Sequence, residues 1–331
     1  MGRRNPPDAG RARQHWRWHR VIKPGFARER DCFRCPVLPY SHRRLQPVLP
    51  ALQSVFSPLV SGLPLAHLVH TPHPFLIRFS ENFGIRYYGL GYLLGFAGAY
   101  WLMLRYHRAG RSPLAPTVIL DLMTYMVMGV MIGGRLGWFL FYHPEDLFHP
   151  PWAFFQVWNG GMASHGGFIG VIVAAWLFAR TRKLPFFQIT DVIVTTVPVG
   201  LGIVRIANYL NGELWGKVTD VPWGVVFAAT GGDVWPRHPS QLYEAALEGA
   251  VLLAYVQWRF WRTRAAERQP GRISGEFLIG YALARIICEL FREPDAALIL
   301  GLSRGTFYSV FVALGGLAVA IIATHRAPKK A

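Results

Sequence analysis

An arginine and two amides stand where an apolar run should still be inside lipid. The run "VIVTTVPVGLGIV" (192–204) reads as the body of a membrane helix, and Arg205, Asn208, Asn211 and Glu213 follow it without leaving the helical pattern. Arg205 and Asn208 are three residues apart and share a face. A second set lies in "ISGEFLIGYALARIICELFREPDA", where Tyr281, Arg285, Glu289 and Arg292 fall at i, i+4, i+8 and i+11 and form one stripe. Arg135 interrupts a further apolar run, His165 opens another, and Tyr243, Glu244 and Glu248 sit at the start of a third. A charge at the centre of a bilayer costs at least about 2.5–3.5 kcal/mol. Four arginines (135, 205, 285, 292) and three glutamates (244, 248, 289) therefore need a common reason. If each glutamate pairs with an arginine, one arginine is left over, and an excess guanidinium suits a phosphate, which it grips with two parallel bonds. The competing reading is purely structural. Arg285 and Glu289 would then neutralise each other within one helix, and Glu244 or Glu248 would lock onto Arg135 or Arg205.

The elements that carry these residues are apolar and long. The 331-residue chain is 52% hydrophobic and only 16% charged, against about 25% charged in soluble domains, and its mean hydropathy is +0.24. Seven segments reach or approach the ~20 residues that span a bilayer: 88–104, 117–142, 163–180, 188–210, 240–261, 275–291 and 305–324. The Lys/Arg content of their connections alternates: three in 105–116, three in 180–187, five in 259–274 and three after 324, against none in 143–162, two in 211–239 and two in 292–304. The rich set belongs in the cytoplasm, so the core has its N-terminus outside and its C-terminus inside. On that topology Arg135, His165, Arg205, Asn208, Tyr243, Glu244 and the Tyr281–Arg292 stripe all converge on the outer half of the membrane. A polar cavity opening outward is the simplest reason for them.

The net charge of +17 would by itself suggest nucleic acid or anionic lipid. Its distribution argues against nucleic acid, because twelve Lys/Arg and three Asp/Glu crowd residues 1–50 and the rest mark loops. Residues 1–75 are expected to be a basic extension, either disordered or a start-site artefact. Residues 47–69 are alternatively an extra, proline-broken span. Cys32 and Cys35 form a lone C-x-x-C with no second pair, and Cys288 reads as a small core residue. Within 217–236, "WGVVFAA" has strand character and "TGGD" is a turn, which predicts a small hairpin arm on the outer face. The glycines of "MIGGRLG" and "GGMASHGGFIG" suit close helix packing, and "GGMASHGG" ahead of a helix also offers N–H groups to an anion. "GLSRG" (301–305) matches a hydrolase elbow by letters only, since no strand precedes it. The outer histidines lack metal-ligand spacing, and no metal site is expected.

Several blocks together are specific. "HGGFIG" (165–170), "RIANYLNGELWG" (205–216), "RHPSQLYEAALEG" (237–249) and "GEFLIGYALARIICELFREPDA" (275–296) resemble the prolipoprotein diacylglyceryl transferase family, and "RYYGLGYLLGF" (86–96) and "GGRLGWFLFY" (133–142) are similar to its first two spans. The resemblance covers about 80–325. It implies an all-α polytopic protein of the bacterial inner membrane, with seven transmembrane helices and a small periplasmic arm or head region, over 76–331. It implies an enzyme that moves the diacylglyceryl group of phosphatidylglycerol onto the lipobox cysteine of a prolipoprotein, forming a thioether and releasing glycerol phosphate. Its partners would be phosphatidylglycerol, the prolipoprotein signal peptide and membrane lipid, with no nucleic acid and no metal or organic cofactor. Arg205 matches the arginine of the family's signature block, and Arg285 a second essential arginine. Tyr88, His165, Asn208, Glu213, Gly216, Glu244, Tyr281, Glu289 and Arg292 also fall on family positions, and Arg135 joins them as a substrate-binding residue. Ala207 replaces a usual glycine. On this reading Arg205 holds the headgroup phosphate, Arg285 stabilises it as it leaves, and Tyr88 and Asn208 orient it. Either His165 takes the thiol proton, or the basic cavity lowers the thiol's pKa unaided. The arm receives the signal peptide. The rival from another class is a secondary transporter of an anionic lipid or metabolite, which predicts inverted repeats and a midplane site.

Overall fold

The computed structural model describes residues 67–72, 75–79, 84–144, 151–156, 161–294 and 297–326. Residues 1–66, with Cys32 and Cys35, lie outside the described residues. The described chain is mostly helical: α1 Tyr87–Arg108, α2 Pro116–Tyr142, α3 Ser164–Thr181, α4 Phe186–Val194, α5 Val197–Asn211, α6 Ser240–Glu244, a π-helical segment Ala245–Val251, α7 Leu252–Arg262, α8 Ala265–Arg268, α9 Arg272–Glu289 and α10 Arg304–His325. Helices thus occupy each of the seven apolar segments. Among the described residues three are long and apolar enough to cross a membrane, namely 116–142, 186–211 and 304–325, and α3 is a shorter apolar helix. Large apolar side chains such as Leu93, Phe168, Ile172 and Phe311 point outward and stay exposed, as a membrane protein requires.

Two expected spans are not single α-helices. The segment 188–210 breaks at Thr195–Thr196 because Pro198 has no N–H to continue the ladder. The freed groups are re-satisfied locally. Thr195 and Thr196 hydroxyls donate back to the Val192 and Ile193 carbonyls at 2.6 and 2.8 Å, and Gln257 Nε2 donates to the Thr195 carbonyl at 2.9 Å. The segment 240–261 is widened into a π turn over 245–251, the part that carries Glu248.

Glycines bring the helices together. A Cβ on Gly133 would lie 2.7 Å from Gly170 Cα, and one on Gly137 2.7 Å from Gly166 Cα, so α2 and α3 touch backbone to backbone. The same logic joins α5 to the π segment, where a Cβ on Gly249 would lie 2.6 Å from Gly202 Cα. An apolar groove of about 510 Å³ runs along α2 and α3, lined by Met128, Ile132, Leu136, Ile169 and Val173 among others.

Polar contacts collect at the two ends of the bundle. At one end Arg111 donates to the Phe260 and Thr263 carbonyls, Arg182 pairs with Asp121, and Arg259 and Arg272 pair with Glu276 at 2.6 and 2.8 Å. Here Asp191 of α4 caps α9 from a distant part of the chain. Its carboxylate accepts from Gly271 N–H at 2.8 Å, Ser274 N–H at 2.7 Å and Ser274 Oγ at 2.6 Å.

Short strands decorate the other end and modify the all-α expectation. β1 (Leu68–Val69) pairs in parallel with β4 (Val225–Val226), which pairs antiparallel with β5 (Pro236–Arg237), while β2 (Phe75–Arg78) pairs antiparallel with β3 (Gly84–Arg86). The expected hairpin in 217–236 is present, but its first strand is only two residues long. The chain turns into a 3-10 turn at Ala228–Thr230 and reverses at Gly231, whose φ is +85°. Residues 67–72 fall inside the expected extension, yet they join this sheet, with His70 N–H donating to the Val226 carbonyl at 2.8 Å.

Asp191→Ala removes the acceptor of two buried N–H groups, each worth about 1–3 kcal/mol when left unpaired. The midpoint of thermal unfolding in detergent is expected to drop well below that of the wild type, with Asp191→Asn in between. An unchanged midpoint for Asp191→Ala would show that the start of α9 is held by something else.

Candidate functional site

The end of α5 is shaped by Gly212, which adopts the left-handed conformation (φ +70°) that terminates helices. Glu213 N–H then donates back to the Asn208 carbonyl at 3.0 Å, closing the turn. Two further bonds hold it. Thr230 Oγ1 donates to the Gly212 carbonyl at 2.7 Å, and Gln241 Nε2 to the Glu213 carbonyl at 2.5 Å. Tyr88, in the first turn of α1, completes the group. Its hydroxyl donates to Glu213 Oε2 at 2.8 Å and is also hydrogen-bonded to Asn208 Oδ1.

One turn back along α5, Arg205 enters a buried ionic network. Its Nε lies 3.0 Å from Glu244 Oε2 and its Nη2 3.4 Å from Glu248 Oε2. Arg285 Nη1 reaches Glu244 at 2.7 Å and Glu248 at 3.4 Å, and its Nη2 pairs with Glu289. Arg292 Nη1 donates to Glu244 Oε1 at 3.0 Å. Glu244 and Glu248 have 0% side-chain exposure, so guanidinium groups stand in for water around their carboxyl groups. Glu244 is the hub, touched by three arginines. Arg205 is the most exposed of those three at 17%, and its Nη1 has no partner among the described residues.

The charge count differs from the sequence expectation. Among the described residues Arg205, Arg285 and Arg292 meet Glu244, Glu248 and Glu289, three against three, so these contacts leave no arginine over. The fourth arginine is elsewhere. Arg135 aims its fork at the carbonyls of Phe154, Gln156 and Gly161 at 3.1–3.2 Å and lies 5.1 and 4.9 Å from the ring centres of Trp138 and Phe139. It pins the segment between α2 and α3 because buried carbonyls and aromatic faces satisfy a guanidinium there. In the glycine-rich stretch ahead of α3, the Ala163 N–H donates to the Gly134 carbonyl at 2.9 Å.

His165 lies apart from the network. Its ring is exposed and edge-on to Tyr308 of α10, with centres 5.1 Å apart. Tyr281 sits one turn along α9 from Arg285, its ring parallel to Phe277. Gly216 has a steric role. A Cβ there would lie 2.5 and 2.6 Å from the Phe291 and His238 carbonyls, and its backbone bridges to Arg292. Cys288 is a free, buried thiol within α9.

Some contributors escaped the sequence reading. Gln241 is fully buried beneath Glu213. Gly305, part of the rejected "GLSRG", lets the start of α10 approach the Glu289 carboxylate, which a Cβ would strike. Arg237 donates to the Gly232 and Gly216 carbonyls at 2.5 and 3.1 Å, pairs with Glu293, and stacks on Trp215. The sequence signal for Arg237 is its place at the head of the block "RHPSQLYEAALEG". Burial, with Lys217 beside it, lowers the pKa of His238, so this ring is neutral at pH 7 where it meets the Tyr243 hydroxyl at 3.1 Å.

Comparison with known proteins places the chain among named relatives. The family described as prolipoprotein diacylglyceryl transferase matches residues 74–322. Proteins named phosphatidylglycerol–prolipoprotein diacylglyceryl transferase are similar to the chain along most of their length. The one from Chromohalobacter salexigens is 46% identical over 243 residues, 72% of this chain and 88% of its own. Those from Bordetella bronchiseptica (45% over 250 residues, 74% and 93%) and Legionella pneumophila (44% over 218 residues, 65% and 81%) are comparable.

Removing the hub charge should be costlier than removing a peripheral one. Glu244→Gln leaves one buried and two partly buried guanidinium groups short of a partner, a change worth up to about 3–5 kcal/mol. Its unfolding midpoint in detergent is expected to fall further than that of Glu289→Gln. Equal shifts would mean that Glu244 is not the centre of the network.

Proposed function

The chain belongs to the prolipoprotein diacylglyceryl transferase family, and we propose that it catalyses the reaction its relatives are named for. It moves the diacylglyceryl group of phosphatidylglycerol to the cysteine thiol of a prolipoprotein lipobox, forms a thioether and releases glycerol phosphate. The observation that carries this reading is the anchoring of Arg205. Two buried carboxylates hold two of its nitrogens while Nη1 remains open among the described residues, one helical turn from Asn208, to which the Tyr88 hydroxyl is hydrogen-bonded.

The chemistry follows from where charge develops. Breaking the glyceryl carbon–oxygen bond puts a second negative charge on the departing phosphate. A guanidinium that is already oriented stabilises that charge without having to reorganise. Arg205 holds the headgroup phosphate through its open edge. Arg285, whose nitrogens are engaged by Glu244, Glu248 and Glu289, stabilises the leaving phosphate by its fixed charge. Neutrality of the network is an advantage here, because it holds both arginines rigidly in a buried place. Tyr88 and Asn208 orient the headgroup, and Glu213, Gly216, Glu244, Tyr281, Glu289 and Arg292 shape and brace the substrate site. His165, exposed at the start of α3, assists without being indispensable. Arg135 supports the site from outside by pinning the segment beyond α2.

The enzyme sits in the bacterial inner membrane with seven spans, its core N-terminus periplasmic and its C-terminus cytoplasmic. The alternating Lys/Arg content of the connections supports that orientation, as does the gathering of Arg111, Arg182, Arg259 and Arg272 at one end of the bundle. The arm over 217–236 is periplasmic and receives the signal peptide, which its exposed Trp223, Val234 and Trp235 suit.

Membranes carrying the protein, supplied with phosphatidylglycerol and a lipobox peptide, are expected to add the diacylglyceryl mass to the cysteine. Arg205→Lys and Arg285→Lys keep the charge and lose the fork, and each should lower kcat/KM by about 100- to 1000-fold. Transfer that survives both changes would remove these arginines from the mechanism. Absence of transfer from folded wild type would overturn the function itself.

A further inference from the structure

The transferase reading needs a group that takes the proton from the substrate thiol, and the structure narrows the choice. Glu244, Glu248 and Glu289 are buried and held by arginines, and protonating any of them would break the three-against-three balance. His165 is turned against Tyr308. Glu213 differs from all of these. It is exposed, it has no cationic partner among the described residues, and it accepts a hydrogen bond from the Tyr88 hydroxyl at 2.8 Å.

We propose that Glu213, acting through the Tyr88 hydroxyl, is the base that deprotonates the lipobox thiol. The proposal rests on the transferase function and adds a role that the family assignment does not supply. Two features make the pair suitable for moving a proton. The first is that the Tyr88 hydroxyl has one proton and two acceptors, Glu213 Oε2 and Asn208 Oδ1. It can bond to the carboxylate while that is ionised and turn to Asn208 once the carboxyl is protonated. The second is rigidity. The backbone of Glu213 is fixed by the Gly212 turn, by Thr230 on the Gly212 carbonyl and by Gln241 on its own carbonyl. The titratable groups set around it by these contacts are Tyr88 on α1, with Tyr92 one turn on, and Arg205 on α5, which Glu244 and Glu248 already hold.

The step balances. The S–H bond breaks as the thiol proton passes to the Tyr88 oxygen and the Tyr88 proton passes to Glu213, leaving tyrosine unchanged. The thiolate attacks the glyceryl carbon, the C–S bond forms, and the C–O bond breaks with its electron pair going to the phosphate oxygen. The new phosphate monoester, whose second pKa is about 6, takes the proton from Glu213 and resets the base.

Glu213→Gln keeps the size and the hydrogen bond to Tyr88 but cannot accept a proton. With phosphatidylglycerol vesicles and a cysteine lipobox peptide at pH 7, its transfer rate is expected to fall by about 100-fold or more. Replacing the peptide's cysteine by selenocysteine, whose selenol is ionised at that pH, should restore at least about tenfold, as should raising the pH toward the thiol's ordinary pKa of about 8.5. Glu213→Asp, which keeps a carboxylate, should retain part of the cysteine activity. His165→Gln should slow cysteine and selenocysteine peptides by the same factor. Glu213→Gln that slows both nucleophiles equally, or neither, overturns the proposal, as does a nucleophile-dependent defect in His165→Gln. Wild type that modifies neither peptide overturns the transferase reading, and the base falls with it.

Discussion

Everything at the site depends on Glu244 keeping its arginine partners with no exposure to water. A carboxylate without partners is costly in such a place. Arg205, Arg285 and Arg292 supply them, from α5, from α9 and from the residues just beyond α9. Each arginine in turn needs the carboxylates, so the network is a mutual condition and cannot be assembled piecemeal. That condition dictates how closely the helices approach. Gly202 and Gly249 allow α5 and the π segment to touch, and Gly305 allows α10 to close over Glu289. At the far end of the bundle Asp191 sets where α9 begins, and with it the height of Arg285 above that point.

A balanced network is also compatible with the proposed phosphate-binding role of Arg205, which needs no surplus positive charge. Net charge attracts from a distance, whereas catalysis asks for donors held in place before the charge arrives. Arg205 meets that requirement because two of its nitrogens are fixed and a third is open. An arginine in excess, swinging in a wet cavity, would have more attraction and less orientation. The cost of burying three ion pairs is therefore matched to a functional need for rigidity, in keeping with the weak stabilising value of such pairs on their own.

Much of this was legible in the residues, for identifiable reasons. The stripe Tyr281–Arg285–Glu289–Arg292 depends only on helical period, and α9 carries it as one helix up to Glu289. The pairing of Arg205 with Asn208 on one face followed from the same period, as did the apolar segments themselves. Partner choice was not legible, because period says nothing of which helices are neighbours. Arg135 has the same type and the same apolar setting as Arg205, yet it serves loop carbonyls. The π turn at 245–251 leaves no mark in composition, although it sets how Glu244 and Glu248 face their arginines. By contrast the break before α5 was written in Pro198, and only the length of the apolar run concealed it.

The arm and the network are linked through backbone as well as charge. Gly216 bridges to Arg292, whose side chain donates to Glu244, while Lys217 N–H donates to the Phe291 carbonyl at 2.8 Å. Arg237 ties Gly216 to Gly232 and to Glu293, so the strand that passes the site is clamped on both sides. The clamp has no room for a side chain at Gly216. A displacement of the arm must therefore move Arg292 and change the field at Glu244, which Arg205 and Arg285 share. If Arg205 holds a headgroup phosphate as proposed, whatever settles on the arm is felt there through this hydrogen-bonded backbone, and recognition of one substrate is coupled to readiness for the other.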